Sequence, residues 1–255
     1  MPAAERSSTG HLQVYALRFG LLAVVIGAWQ IVGDDSARIN MPTFIRTLTA
    51  FGKLIMSGEL PRALLDSNVA LVVGYLLALS IAVPVGIAMG QVRAIRSLVN
   101  PYLIILLSTP LIAVLPILQA IFGLGLATRT VVVFIFAFIY ITVNTEVGVS
   151  GTPADLMEMA RSFGTSARQR LFKIVLPHAF PAIMAGARLG LGRGVVGMVI
   201  AELFLVSSGL GSMLSYYMAR FDSGAVLSIA LTMVLEGIVV IALARRFERF
   251  VLRRW

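Results

Sequence analysis

Six stretches of this chain, residues 12–32, 64–89, 103–122, 130–149, 179–206 and 226–243, stay apolar over the length a helix needs to cross a bilayer. At 1.5 Å rise per residue, about 20 residues span the ~30 Å of hydrocarbon. The runs lack the period-two alternation of barrel strands and are too long for them, so helices are the reading. Composition agrees: of 255 residues 58% are hydrophobic and 13% charged, too few polar groups to coat a water-exposed globule. The predicted fold class is an all-α membrane protein with six transmembrane helices. The absence of cysteine excludes disulfides, thiolate nucleophiles and cysteine-based metal sites. The net charge of +9 does not point to nucleic acid, because the arginines cluster at the ends of apolar runs, where a membrane surface accounts for them.

Orientation follows from those arginines. With the N-terminus inside, the inner segments hold Arg6, Arg18, Arg93, Arg96, Arg161, Arg168, Arg170 and Lys173, with Arg245, Arg246, Arg249, Arg253 and Arg254 at the end. The outer segments hold Arg38, Arg46, Lys53, Arg62, Arg129 and Arg220. The excess predicts both termini on the cytoplasmic side. One transmembrane domain, residues 1–255, then has a cytoplasmic tail (1–11), an extracytoplasmic amphipathic segment (about 34–61), a cytoplasmic segment (about 151–178) and a basic cytoplasmic tail (244–255). The first run exceeds the usual length of a signal-peptide core and has no small-residue cleavage site after it, so it reads as a retained anchor. Within 34–61, Phe44, Leu48, Phe51 and Ile55 recur at helical spacing and predict a surface helix.

Prolines in Val83-Pro84-Val85-Gly86, Thr109-Pro110 and Leu115-Pro116 predict kinks inside spans. Gly192-Arg193-Gly194-Val195-Val196-Gly197 has the spacing of a dinucleotide-binding loop, but it has no preceding strand and reads as close helix packing. No phosphate-binding G-x-x-x-x-G-K-[ST] loop occurs. His11 and His178 do not form a metal-ligand spacing, and no metal site is expected. Glu146, Glu202 and Glu236 fall in or near spans, where a carboxylate is costly and usually faces a partner, a cavity or a pathway; Arg188 and Arg193 are the candidate partners. Gln119 and Asn144 are neutral candidates for lining a pathway.

The segment 151–178 carries its own punctuation. Thr152 is placed to cap a helix, with Pro153 at its first position and Asp155 near its positive end. Leu156, Ala160 and Phe163 share one face, Gly164 suits the C-terminal turn, and a second short helix is predicted over 166–174. Glu158-Met159-Ala160, three residues, Gly164, nine residues, Ile174, one residue and Leu176-Pro177 resemble the "EAA" signature of ATP-binding-cassette importer permeases, with Met159 where alanine is usual. Met41-Pro42-Thr43, Ser57-Gly58-Glu59-Leu60, Asn144-Thr145 with Gly148, Ala201-Glu202, Gly209-Leu210-Gly211 and Trp255 resemble the nitrate, sulfonate and taurine branch of that family.

The resemblance implies a type I importer fold, a site in a bacterial inner membrane, and alternating access driven from outside the chain. Glu158, Ala160, Arg161, Gly164, Ile174, Leu176 and Pro177 would form the coupling segment that docks on ATPase subunits. The implied assembly has two ATPases using Mg-ATP, a second permease copy and an extracytoplasmic substrate-binding protein, with no cofactor in this chain. Gln119, Asn144, Glu146 and Glu202 are the candidate pathway residues, and the cargo is expected to be a small anionic or zwitterionic solute. The rival reading is an ion-gradient-driven secondary transporter, motivated by the intramembrane carboxylates. A membrane-embedded enzyme lacks any nucleophile, acid–base or metal constellation.

Overall fold

A computed structural model of the chain describes residues 6–33, 41–205 and 208–253. Residues 1–5 of the predicted N-terminal tail, residues 34–40 of the amphipathic segment with Arg38, Val206 at the end of the fifth run, and Arg254 and Trp255 lie outside the described residues. The elements are α1 (Arg6–Val32), α2 (Phe44–Met56), α3 (Glu59–Gln91), α4 (Arg93–Ser108), α5 (Leu111–Phe122), α6 (Leu126–Ser150), α7 (Ala154–Ser162), α8 (Ala167–Arg170), a π-helical turn (Leu171–Val175), α9 (Leu176–Leu205), α10 (Gly209–Ala219) and α11 (Ser223–Leu252). No strand occurs among the described residues.

Of the six predicted spans, not all are single long helices among the described residues. Four helices, α3, α6, the continuous Ala167–Leu205 and α11, are long and apolar enough to cross a membrane. The third run is broken into α4 and α5, bent by 104°, and in the first run Gly20–Val32 is a shorter apolar helix. Of the expected proline kinks only Thr109-Pro110 breaks its helix; α3 runs through Pro84 and α5 through Pro116. Thr109 takes an extended conformation, φ −79° and ψ 129°, as the ring of a following proline favours, and its hydroxyl donates to Ile105 O at 2.7 Å.

Two compact units make up the chain: Met1–Leu60 with Leu214–Leu231, and Pro61–Met213 with Thr232–Trp255. In the first, Thr43 caps α2 by accepting from Arg46 N at 3.2 Å. Trp29 Nε1 donates to Pro42 O at 2.9 Å, and its ring meets Phe44 edge-on at 5.2 Å. The helix expected at the surface forms as α2, with Thr47 and Leu54 buried and Leu48 and Ile55 exposed. Burying Thr47 is possible because its hydroxyl donates to Thr43 O at 3.0 Å, and Ser228 Oγ on α11 donates to Thr47 O at 2.6 Å.

In the second unit α6 is the central helix. A Cβ added to Gly86 or Gly90 of α3 would come within 2.6 Å of Thr145 and 2.5 Å of Val149 on α6, so that the two backbones lie against each other. On another face of α6, a Cβ on Gly186 or Gly190 of α9 would lie 2.6 Å from Asn144 or Ile141. Seams of small residues are how helices associate where lipid removes the hydrophobic incentive to do so. Gly197 belongs to the same seam, with its absent Cβ 2.8 Å from the Phe136 ring. Close packing, which the sequence context of the run from Gly192 to Gly197 implied, is therefore found at Gly197, whereas a Cβ on Gly192 or Gly194 would meet only ordinary contacts.

Candidate functional site

The segment after α6 is built from local hydrogen bonds. Thr152 was the expected cap of the next helix, but its hydroxyl donates instead to Val149 O at 2.9 Å, finishing α6. Pro153 takes the capping position, and α7 starts at Ala154. The correction is one residue, because a hydroxyl so close behind a helix end finds that end's free carbonyl first. Asp155 in the first turn and Arg161 in the last complement the helix dipole.

Gly164 ends α7 as its composition predicted. It has φ +70°, its N–H donates to Arg161 O at 2.9 Å, and Thr165 N donates to Ala160 O at 3.2 Å. This paired closure satisfies two end carbonyls and needs a left-handed residue, which glycine supplies without strain. Ser166 then starts the next helix with a reciprocal cap: Gln169 N donates to its hydroxyl at 3.2 Å, and Ser166 N donates to Gln169 Oε1 at 2.8 Å. Ser166 and Gln169 stand at the spacing of a capping box, a signal present in the sequence.

The second helix does not stop where it was predicted to. Ala167 to Leu205 is one helix of 39 residues, about 58 Å long at 1.5 Å per residue. Pro177 has no N–H for Lys173 O and would crowd it, and the π-helical turn Leu171–Val175, with Leu176 N donating to Leu171 O, widens the helix there. The segment rests on the bundle through Met157, Leu171, Val175 and Ala179, which pack with Ile87 and Val149.

Of the signature residues, Ala160 is buried, Ile174, Leu176 and Pro177 are half-buried, and Glu158, Arg161 and Gly164 are exposed. The face predicted as one apolar stripe divides. Ala160 points inward, whereas Phe163 is 80% exposed, Met159 50% and Leu156 40%.

The structure pairs the intramembrane charges differently from the partners the sequence offered. Glu202, fully buried, receives Arg129 Nη1 at 3.2 Å and Gly211 N–H at 3.1 Å. Ser67 Oγ accepts from Leu210 N at 3.1 Å, so the turn after α9 is fastened at two successive amides. Gly209, at φ +83°, passes so close that a side chain there would collide with the Glu202 carboxylate. Arg129, counted above as an outer-loop charge, is only 3% exposed. Arg96 pairs with Glu146, Arg188 pairs with Glu248 at 2.9 Å, and Asn68 donates to Glu236 at 2.6 Å.

The candidate pathway residues do not converge on one described cavity. Asn144 Nδ2 donates to Tyr140 O at 2.7 Å, Gln119 is half-buried on α5, and Glu146 and Glu202 are held in their ion pairs. Sequence reasoning missed Arg129, Ser67 and Glu248. The pairing of residues 73 positions apart leaves no local signal, although Gly209-Leu210-Gly211 marks the place.

Residues 82–253 match the family described as "Binding-protein-dependent transport system inner membrane component". The chain is 34% identical over 78% of its length, and 74% of the relative's, to the putative aliphatic sulfonates transport permease protein SsuC of Bacillus subtilis (strain 168). It is 30% identical, over 89% of its length and 82% of the relative's, to the taurine transport system permease protein TauC of Escherichia coli (strain K12). Its fold resembles an inward-facing structure of the MetNI methionine ABC transporter, with a TM-score of 0.65 at 22% identity, covering 77% of this chain and 97% of that one. An all-helical bundle bearing this signature segment, matched over most of its length, belongs to the binding-protein-dependent inner-membrane transport family and is an ABC importer permease, a transporter subunit and not an enzyme.

Proposed function

We propose that this chain works as one of two identical permease subunits that carry a small solute with a sulfonate or carboxylate group into a bacterial cell by alternating access. Two separate subunits hydrolyse Mg-ATP, an extracytoplasmic binding protein delivers the solute, and both termini of this chain face the cytoplasm. The names of the relatives, which specify aliphatic sulfonates and taurine, support the solute class. The arginine distribution supports the orientation.

The observation that carries the reading is the build of α7. It leaves Leu156, Met159 and Phe163 open to a partner while its C-terminal end is closed by the Gly164 and Thr165 amides, and one turn later the chain enters the 39-residue helix. A push on α7 is thereby delivered to a stiff rod through a short, hydrogen-bonded corner. Glu158, Ala160, Arg161, Gly164, Ile174, Leu176 and Pro177 form this coupling segment, with Ala160 seated in the bundle and Phe163 reaching outward. Gln119 and Asn144 serve the pathway as neutral polar groups, and Glu146 and Glu202 shape it from within their ion pairs.

Co-expression with the cognate ATPase and binding protein tests this. In proteoliposomes, uptake of taurine or an alkanesulfonate is expected to require ATP and to survive collapse of the proton gradient. Phe163→Asp is expected to weaken ATPase binding more than about tenfold, as loss of an exposed anchor at an interface does, with membrane insertion unchanged. Gly164→Val, which forces a β-branched residue to φ +70°, is expected to uncouple ATP hydrolysis from uptake. Uptake that follows the proton gradient instead would establish the ion-driven reading, and full ATPase binding by Phe163→Asp would remove the docking role.

A further inference from the structure

The charges on α9 are not treated alike. Glu202 is matched by Arg129, and Arg188 is matched by Glu248. Arg193 has no carboxylate within 4 Å among the described residues, and it is exposed. It is also well inside the span: by the 1.5 Å rise it stands about 18 Å along the axis from Leu205. A cation at that depth is costly and is rarely left to lipid; it usually faces a partner or a water-filled cavity.

An open-sided pocket is present. Arg193, Tyr140, Phe136, Thr109 and Pro110 line a space of about 240 Å³ at the break between α4 and α5. At ~30 Å³ per water, that holds about eight waters or a solute of a few heavy atoms. Broken helices are tolerated at membrane depth where the non-helical backbone borders such a cavity. The guanidinium carbon lies 4.7 Å from the centroid of the Tyr140 ring, an attractive stack that fixes one face of the group. The glycine seam sets this geometry: with Gly190 and Gly197 flat against α6, the flanking Arg193 is brought up to Tyr140 on the same helix.

We infer that Arg193, stacked on Tyr140 beside the Thr109-Pro110 break, is an anion-binding station of the translocation pathway and receives the sulfonate or carboxylate group of the solute. Stacking occupies a face of the guanidinium and leaves its edge, a planar fork of N–H donors, which suits two oxygens of one acid group. The inference rests on the transport reading above and assigns a residue to it. The phenyl rim of Phe136 and the aliphatic side chains near it would hold the apolar remainder of the solute.

The chain has no cysteine, so Arg193→Cys in the assembled transporter introduces a single thiol into this subunit. That thiol is expected to react with the water-soluble anionic reagent sulfonatoethyl methanethiosulfonate, and millimolar taurine or ethanesulfonate is expected to slow the reaction. In the same proteoliposomes Arg193→Gln should raise the half-saturating concentration for uptake of those sulfonates at least about tenfold, with Arg193→Lys intermediate. Assembly of each variant is checked by ATPase co-purification. A thiol reached only by a lipid-soluble maleimide would make the position lipid-facing, and one shielded from both reagents would put it in a subunit interface; either result overturns the inference. If the wild-type complex takes up no solute on ATP, the transport reading fails, whereas thiol labelling still decides the location of Arg193.

Discussion

Glu202→Ala is expected to cost the permease about 3–5 kcal/mol of stability, because it strands the Arg129 guanidinium in the interior of its unit with no counter-charge. The same change removes the acceptor of Gly211 N–H, so the turn after α9 loses one of its two amide fastenings. In a chain of this size, that loss lowers the melting temperature by roughly 6–20 °C, readable by thermal unfolding of the purified protein in detergent. Glu202→Gln should fall between, since its oxygen still accepts from Gly211 while the charge is lost. Combining Arg129→Met with Glu202→Gln should recover most of the deficit, because removing both charges of a buried pair costs far less than removing one. A change below about 1 kcal/mol for Glu202→Ala would mean that Arg129 finds water or another anion, and would remove the lock from the account.

The lock also bears on mechanism. The fastened turn and the proposed coupling segment stand at opposite ends of the same 39-residue helix. On the proposed coupling role, movement imposed on α7 would be carried along that helix to a turn whose amides are tied to α3 by Ser67 and to α9 itself by Glu202. A rod held loosely at its far end would bend or slip before its displacement reached that end.

What the sequence made legible is what depends on neighbours along the chain. The apolar runs became helices because hydropathy over some twenty residues is a local sum, and the corner at Gly164 was readable because its closure uses residues from Ala160 to Thr165. The rest depended on neighbours in space. Three proline sites looked equivalent, yet only Thr109-Pro110 breaks its helix, and nothing in a single sequence separates it from Pro84 or Pro116. The partners of Glu146, Glu202 and Arg188 lie on other helices, and Arg129 counted as an exposed flank until Glu202 was seen beside it. On α2 the apolar spacing announced a surface helix but not its buried face, which Thr47 takes because both of its oxygens are hydrogen-bonded.

Gly190 and Gly192 stand two residues apart on α9 and should respond in opposite directions to the same substitution. At Gly190 a Cβ would lie 2.6 Å from Ile141 Cγ1 and 3.0 Å from Ala137 O, so α9 must move away from α6 to admit it. At Gly192 the nearest atom, Ile241 Cδ1 of α11, would be 3.7 Å away, an ordinary contact. Gly192→Ala is therefore expected to be neutral or to stabilise by up to ~1 kcal/mol, since alanine favours a helix over glycine. Gly190→Ala should destabilise by about 1–3 kcal/mol, and Gly190→Leu by about 3 kcal/mol or more, because overpacking is relieved only by separating the two backbones. Separation would also draw Arg193 away from Tyr140, so thermal melting and the reactivity of the thiol introduced by Arg193→Cys should change together in Gly190→Leu. Equal melting temperatures for Gly190→Ala and Gly192→Ala would show that the helices are not in contact along this seam in the membrane, and the placement of Arg193 would fall with it.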